Sequence, residues 1–373
     1  MKVKNYLVLA LAAATAFASC SKEQSSVAGD DAPKSVTLTV SNVVPGSRSA
    51  GSKVEPDSKV KFSDLQVFFA TSDGNLVQGK TLDNQPAQHY FTTDQFDVRE
   101  DKVFHFLPAN VSKVIVVGNL GTEQTGVTTV DDLKRTLEIA DEQNEVKLSL
   151  YDETELTTVS GTDEAGHPLY VAKLTLEPRV ARIEVVGFEY QAVGENPRKY
   201  ASIEIEQVVL NNYYDGADFL TGAVSGEKTN TEINEGSAFE FFANAAQSDA
   251  WYNDMLDNTT LPEVVLSASN DYKTAYGDGD KRPAYHIFPM AENIGTTDHP
   301  QLVVKLLGTT ADGEKVPLYL ATSKFDPAVT GNVAKIYQVQ FAFNDDNLSN
   351  PEKCVEVNVG VASWSVIPVS PEF

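Results

Sequence analysis

The chain has 373 residues, of which 42% are hydrophobic and 22% are charged. This length and composition suffice for about two domains with buried cores, and they argue against a disordered chain. Lys and Arg number 29 against 53 Asp and Glu, which gives a formal net charge of -24. Such a charge argues against nucleic acid and anionic lipid as partners, because both require a basic surface.

The first twenty residues have the pattern of a secretory signal. Two lysines precede an apolar run, residues 6–17, that is too short to span a bilayer. The following Phe17-Ala18-Ser19-Cys20 resembles the lipobox of bacterial lipoproteins, which implies lipidation of Cys20 and several acyl chains that together anchor a protein stably. The charged residues 21–24 resemble a tag for export to the cell surface. An ordinary signal peptide with an incidental cysteine is the alternative.

Period-two alternation of apolar and polar residues recurs along the chain and is typical of half-buried strands. The predicted strands of the first half form a β meander at residues 36–40, 65–69, 76–77, 103–107 and 113–117. Those of the second half lie at residues 171–176, 180–186, 200–210, 302–307, 316–320 and 335–343. One helix is predicted over Val130 to Ala140 behind the cap Thr129, and residues 211–300 predict long loops with short strands.

These patterns predict an all-β protein of two tandem β-sandwich domains with long loops and few short helices. The boundary is expected near residue 177, because Pro178 would interrupt strand pairing. The predicted division is a signal peptide at 1–19, a propeptide at 20–48, sandwich domains at 49–177 and 178–352, and a C-terminal segment at 353–373.

The C-terminal segment alternates strongly. Four valines at odd positions share one face, whereas two further apolar residues at even positions fall on the other face: Val355, Val357, Val359, Val361, then Trp364 and Val366. A bulge at Ala362-Ser363 would accommodate this change of face. The polar residues 344–351 before the segment predict a hinge, so that the tail could pair away from its own body. It could equally be the last strand of its own domain.

The N-terminal strand is followed by a predicted cleavage site. Val36, Leu38 and Val40 form its apolar face, and small and turn-forming residues then surround Arg48. The Arg48–Ser49 bond is therefore expected to be accessible to an arginine-specific protease. Loss of the strand, which extends to Val44, would expose an apolar groove with unpaired backbone groups, and another strand could fill it. An uncut loop at Arg48 is the alternative.

An ordered set of motifs resembles the fimbrillins of Bacteroidales type V pili. The N-terminal half contributes the lipobox, the strand with its arginine site, Asp64-Leu65-Gln66-Val67 and residues 113–119, Lys-Val-Ile-Val-Val-Gly-Asn. The C-terminal half contributes residues 179–183, Arg-Val-Ala-Arg-Ile, then Ile336-Tyr337-Gln338-Val339, the valine-rich segment ending at Trp364, and the final Glu372-Phe373. The interval from Arg182 to Ile336 does not align.

The resemblance implies transthyretin-like sandwiches and a structural pilin subunit that supports adhesion. It implies an outer-membrane lipoprotein that is cleaved after Arg48 and polymerises by donor-strand exchange. The implied donor is Val355 to Val369, and the acceptor is the groove left by residues 36–44. The implied partners are other fimbrial subunits, an arginine-specific protease, the outer membrane and an unidentified surface receptor.

Enzymatic signatures are not found in the sequence. The five histidines have no metal-ligand spacing, and neither a Gly-x-Ser-x-Gly motif nor a phosphate-binding glycine loop occurs. The segment Gly277 to Asp280 resembles part of a calcium-binding loop but lacks the further acidic ligands of such a loop. We therefore expect no metal and no cofactor. Cys354 could cross-link subunits or be an inert thiol. The alternative function is a monomeric surface lipoprotein that binds glycan or host protein through the loops of residues 211–300.

Overall fold

The structure is a computed structural model that describes residues 32–45, 60–144, 147–229, 252–253, 262–276, 282–290, 300–326, 333–349 and 355–363. Strands make up most of the regular structure of these residues, which confirms the all-β class. The helical elements are short 3-10 turns at Val130–Leu133, Asp141–Gln143 and Ala268–Asn270, and the α-helix α1 at Asp345–Ser349.

The N-terminal half folds into two main sheets. Its strands are β1 (Lys34–Ser41), β2 (Val43–Pro45), β3 (Val60–Phe62), β4 (Asp64–Thr71), β5 (Leu76–Val77), β6 (Tyr90–Thr92), β7 (Lys102–Leu107), β8 (Val111–Gly118), β9 (Thr136–Glu138), β10 (Leu150–Glu155), β11 (Thr157–Thr162), β12 (Pro168–Thr175) and β13 (Glu177–Pro178). One sheet has the order β11-β12-β1-β7, and the other has the order β13-β10-β8-β4-β5 with β6 also paired to β4. The apolar residues of both sheets belong to one buried core.

The predicted β meander is wrong. β7 and β8 are neighbours in sequence, but β7 pairs with β1 in one sheet whereas β8 pairs with β4 and β10 in the other. The alternation of apolar residues fixes which face of a strand is buried. It does not fix the neighbour of that strand, because either sheet can supply an apolar surface.

The helix predicted over residues 130–140 is also wrong. Thr129 does cap a helical turn, and its side chain accepts a hydrogen bond from the backbone N–H of Asp132, but the turn ends at Leu133. Residues 136–138 then form β9, in which Leu137 is buried and backbone pairs to another strand replace helical hydrogen bonds. Tertiary pairing has overridden the local helical pattern.

The C-terminal half contains β14 (Ala181–Tyr190), β15 (Tyr200–Asn211), β16 (Tyr213–Asp218), β17 (Val224–Thr229), β18 (Tyr252–Asn253), β19 (Val265–Ser267), β20 (Lys273–Ala275), β21 (Ala284–Ile287), β22 (Gln301–Thr310), β23 (Lys315–Asp326), β24 (Lys335–Phe343) and β25 (Val355–Ser363). The main path is β18-β15-β22-β23-β25-β24-β14-β20. β23 pairs with β22 through its first part and with β25 through its last part, with a register shift between Thr322 and Phe325. Such an irregularity is typical of a strand that passes between two layers.

The two halves are joined by backbone pairing and by buried polar contacts. β9 pairs with β16, which extends the sheet of β16 and β17. The side chain of Gln143 donates to the carbonyl of His286 at 2.7 Å and accepts from its N–H at 3.0 Å. The chain passes from the first half to the second between Pro178 and Ala181. Pro178 lies on the edge strand β13, where the missing backbone N–H of a proline removes no ladder hydrogen bond. The five-part division of the chain stays a prediction.

The segment predicted as a hinge before the tail contains the helix α1. The hydroxyl of Tyr190 donates to a carboxylate oxygen of Asp345, and the backbone N–H of Lys199 donates to its other oxygen at 3.0 Å. These contacts hold the start of α1 against β14 and β15. Residues 345–349 are therefore anchored to the C-terminal half.

Candidate functional site

The N-terminal strand β1 lies inside a sheet. It pairs in parallel with β12 over Ser35 to Ser41 and antiparallel with β7 from Lys34 to Leu38. The strand predicted at residues 36–40 is confirmed, with one to two further residues at each end. Both of its neighbours would therefore lose a partner if β1 departed.

The apolar face of β1 is part of the core. Val36 is 0% exposed, Leu38 is 1% exposed and Val40 is 4% exposed. Three buried aliphatic side chains contribute roughly 5 to 9 kcal/mol by the usual burial scale, before ordering costs. We call the space that they occupy between β7 and β12 the β1 groove.

A partly buried polar cluster fixes the start of β1. The hydroxyl of Ser35 donates to Oδ2 of Asp163 at 2.5 Å and lies 2.9 Å from Nδ1 of His105. Nδ1 of His105 and Nδ1 of His167 lie 2.8 Å and 3.1 Å from the same Oδ2. An ionised carboxylate only accepts, so both rings donate through Nδ1. We call Ser35, His105, Asp163 and His167 the Asp163 clasp.

The carboxylate of the Asp163 clasp is held in its charged form. Burial alone would raise the pKa of Asp163. The hydrogen bonds from Ser35, from the backbone N–H of His167 and from the two rings outweigh burial and hold the pKa well below its usual range. Oδ1 of Asp163 accepts the N–H groups of Ala165 and His167 at 2.9 Å and 2.8 Å. The carboxylate is therefore fixed from both sides.

The Asp163 clasp does not have the geometry of a hydrolytic triad. In a triad, the serine contacts one ring nitrogen of the histidine and the acid contacts the other nitrogen, so that the ring relays a proton. Here Ser35 and Asp163 both contact Nδ1 of His105, and Ser35 donates directly to Asp163. The arrangement binds a strand and does not activate a nucleophile.

Both ends of β1 carry further polar contacts. Nζ of Lys34 donates to the carbonyl of Val111 at 2.8 Å, and burial lowers the pKa of Lys34. At the other end, Asn42 donates through Nδ2 to the carbonyl of Leu176 at 2.9 Å. Asn42 has a positive φ of 66°, which turns the chain out of β1 into β2. In β2, Val44 pairs with Lys61.

The C-terminal segment pairs within its own molecule. β25 lies between β23, to which it is parallel, and β24, to which it is antiparallel. This strand contains the predicted donor residues Val355, Val357, Val359 and Val361. Its position matches the alternative in which the segment is the last strand of its own domain. The donor role of these residues stays a prediction.

Several predicted site residues lie outside the described residues. These are the lipidation site Cys20, the cleavage site Arg48–Ser49, the predicted donor residues Trp364 and Val366, Cys354, and the segment Gly277 to Asp280. Among the described residues, no three His, Cys, Asp or Glu side chains are placed to hold a metal ion. The same part of the chain contains no helix with the length and apolar character needed to cross a membrane.

The Asp163 clasp was missed from the sequence. Ser35 stands 70 residues from His105 and 128 residues from Asp163. His167 follows Asp163 by four residues, and the turn between β11 and β12 brings them together. The one local sequence signal of the clasp is Asp163, which begins a polar turn that ends at His167. It indicates a turn but gives no partner in β1.

Comparison with known proteins places the fold. No protein-family model and no curated protein matches the chain. The chain is similar in structure to a fimbrilin, FimA, from Porphyromonas gingivalis W83, with a TM-score of 0.51, 12% identity, and coverage of 91% of this chain and 100% of that one. It is also similar to a candidate cell adhesion protein from Parabacteroides distasonis ATCC 8503, with a TM-score of 0.53, 14% identity, and coverage of 92% of this chain and 99% of that one.

The chain therefore has the all-β fold found in fimbrilins and cell adhesion proteins of this kind. The fimbrillin resemblance that the sequence motifs indicate is confirmed at the level of the fold, along nearly the whole chain.

Proposed function

We propose that this protein is a structural subunit of a type V fimbria and supports cell adhesion. The observation that carries the proposal is the position of β1, an interior strand supplied by the residues that precede Arg48. A permanent strand of a sandwich would not need the cleavage site that the sequence predicts a few residues after it. A temporary part does, because cleavage there converts the strand into a separable peptide.

Cleavage after Arg48 creates the acceptor. β1 is then held only by noncovalent contacts, and its departure leaves unpaired backbone groups on both β7 and β12. Exposed strand edges beside an apolar groove bind another strand by β-augmentation. The lipid on Cys20 belongs to the propeptide and leaves with it, so that the subunit passes from the outer membrane into the fimbria.

The donor in this proposal is the C-terminal segment of a second subunit, Val355 to Val369. To donate, β25 must leave β23 and β24, with which it pairs in the single molecule. Exchange replaces the pairs that β25 makes with β23 and β24 by pairs in the β1 groove of the acceptor. The net free energy of exchange therefore depends on what is gained by filling that empty groove. The partners are other fimbrial subunits and an arginine-specific protease.

The test is cleavage of the purified full chain by an arginine-specific protease, followed by electrophoresis in mild detergent. A ladder of resistant oligomers is expected only after cleavage. Arg48→Gln should abolish the ladder, whereas Arg99→Gln should not, because Arg99 is an exposed arginine, paired with Asp97, that stands 51 residues after the predicted cleavage site in the sequence. A variant that ends at Lys353 should be cut and yet fail to polymerise.

Two results would contradict the proposal. If the protein stays monomeric after complete cleavage at Arg48, then the strand is not exchanged, and the non-polymerising surface lipoprotein is favoured. If the variant that ends at Lys353 still forms an unchanged ladder, then the donor strand lies elsewhere in the chain.

A further inference from the structure

We propose that the Asp163 clasp is a selectivity site for the strand that occupies the β1 groove. It accepts a residue with a hydroxyl or amide hydrogen-bond donor at the position of Ser35, and it rejects a carboxylate there. The ligand is a β-strand, first β1 and then a strand from a second copy of this chain. The second occupant rests on the proposed function.

Three of the four clasp residues remain when β1 leaves. His105 belongs to β7, whereas Asp163 and His167 belong to the turn between β11 and β12. Ser35 is the one member supplied by the occupant, and it is 1% exposed. The side chain of Asp163 is 5% exposed while Ser35 is in place. Departure of β1 therefore uncovers a charged acceptor inside the groove.

Most contacts of this acceptor lie within its own turn, residues 163–167, and not in β1. The N–H groups of Ala165 and His167 hold Oδ1 of Asp163, and the rings of His105 and His167 hold Oδ2. None of these contacts involves β1. A preorganised acceptor binds a matching donor without an added ordering cost, and it penalises a group that cannot donate.

The apolar part of the groove cannot select a register by itself. Val36, Leu38 and Val40 alternate with period two, so that a slip of two residues again presents apolar side chains to two of the three sites. The tail of the chain has valines at four successive odd positions and fits this pattern in several registers. One polar site at a single position distinguishes among these registers.

The sequence of the tail shows what the clasp would reject. If the tail ran in the direction of β1 with Val357, Val359 and Val361 at the three apolar sites, Glu356 would stand at the position of Ser35. Two carboxylates would then meet at hydrogen-bond distance, which is unfavourable because two such groups cannot both stay charged in a partly buried site. With the same valines in the opposite direction, Ala362 stands there instead, which brings no second carboxylate but also gives Asp163 no donor. The clasp therefore excludes the first arrangement.

The test is peptide binding to the cleaved full chain after its strand has been washed out in mild denaturant. Fluorescent peptides of residues 32–45 are titrated, and binding is followed by polarisation. Ser35→Ala in the peptide should weaken binding by about 10-fold or more, and Ser35→Glu should weaken it further. Thr39→Ala is the matched control, because Thr39 donates to Asp101 at 2.6 Å but in an exposed position, and it should change binding by less than about 3-fold.

A change in the protein tests the same contact from the other side. In an Asp163→Asn chain the site is neutral, so the penalty for Ser35→Glu should largely disappear. The melting temperature of the Asp163→Asn protein is measured as a check on folding. If this variant does not fold, the peptide series on the unmodified protein still tests the inference. Equal binding of the unmodified, Ser35→Ala and Ser35→Glu peptides would overturn the inference. Failure of the unmodified peptide to bind would overturn it as well.

The outcome is separable from that of the proposed function, because peptide binding does not involve the C-terminal tail. Normal oligomer ladders without peptide discrimination would refute the selectivity site alone. Peptide discrimination without ladders would refute polymerisation and leave the site in place.

Discussion

The substitution Leu38→Ala should destabilise the precursor and leave the processed subunit unchanged. Leu38 is 1% exposed, in the middle of the apolar face of β1. Replacement of a buried leucine by alanine costs about 2 to 5 kcal/mol through lost burial and a residual cavity. At about 2.1 cal/mol/K of unfolding entropy per residue, the melting temperature of a 373-residue precursor should then fall by about 3 to 6 °C.

The assay compares the two forms of each variant by calorimetry. The full chain is measured before cleavage, and the oligomer is measured after cleavage by an arginine-specific protease. Leu150→Ala is the matched control, because Leu150 is also fully buried in the N-terminal half but lies in β10, which is retained. The control should destabilise both forms, whereas Leu38→Ala should destabilise only the precursor.

The refuting result concerns the processed form. If Leu38→Ala lowers the melting temperature of the cleaved oligomer as much as that of the precursor, then β1 is still in its groove after cleavage. β1 would then be a permanent strand of the subunit.

Three further predictions concern the C-terminal half. In Gly187→Ala, the new Cβ would lie 2.4 Å from the carbonyl oxygen of Thr274, and this overpacking should lower the free energy of unfolding in urea by about 1 to 3 kcal/mol. Burial lowers the pKa of His286 to about 3 from an ordinary 6.5, so the stability present above pH 6.5 should be lost as the pH falls toward 3. Urea titrations should show that His286→Asn removes a slope of up to about 1.4 kcal/mol per pH unit in this window; an unchanged slope would contradict the assignment. Tyr190→Phe removes the hydrogen bond to Asp345 and should raise hydrogen exchange in residues 345–349 without altering exchange in β1.

The sequence predicts individual strands well where alternation is strong. Residues 36–40, 200–210 and 335–343 lie in β1, β15 and β24, with ends within about two residues. The pairing of these strands was not predictable. β1 lies beside β12, more than 130 residues later, because the core selects neighbours by shape and burial over the whole chain. The local sequence pattern therefore does not indicate which strand will be the neighbour.

The failures of prediction have the same physical origin. Leu133 and Leu137 fit one face of a helix, but residues 136–138 gain backbone pairs with β16 and become a strand. Ser35 stands in an ordinary strand sequence, and its role depends on three residues brought in by other elements. The apolar part of the candidate site was therefore readable from the sequence, whereas its polar part was not.

The most direct measurement of the central claim is native mass spectrometry of the protein after cleavage by an arginine-specific protease and assembly. Strand exchange predicts oligomers from which the segment that precedes residue 49 is missing, with each β1 groove filled by the tail of a neighbour. Oligomers or monomers that retain this segment in a one-to-one ratio would contradict it.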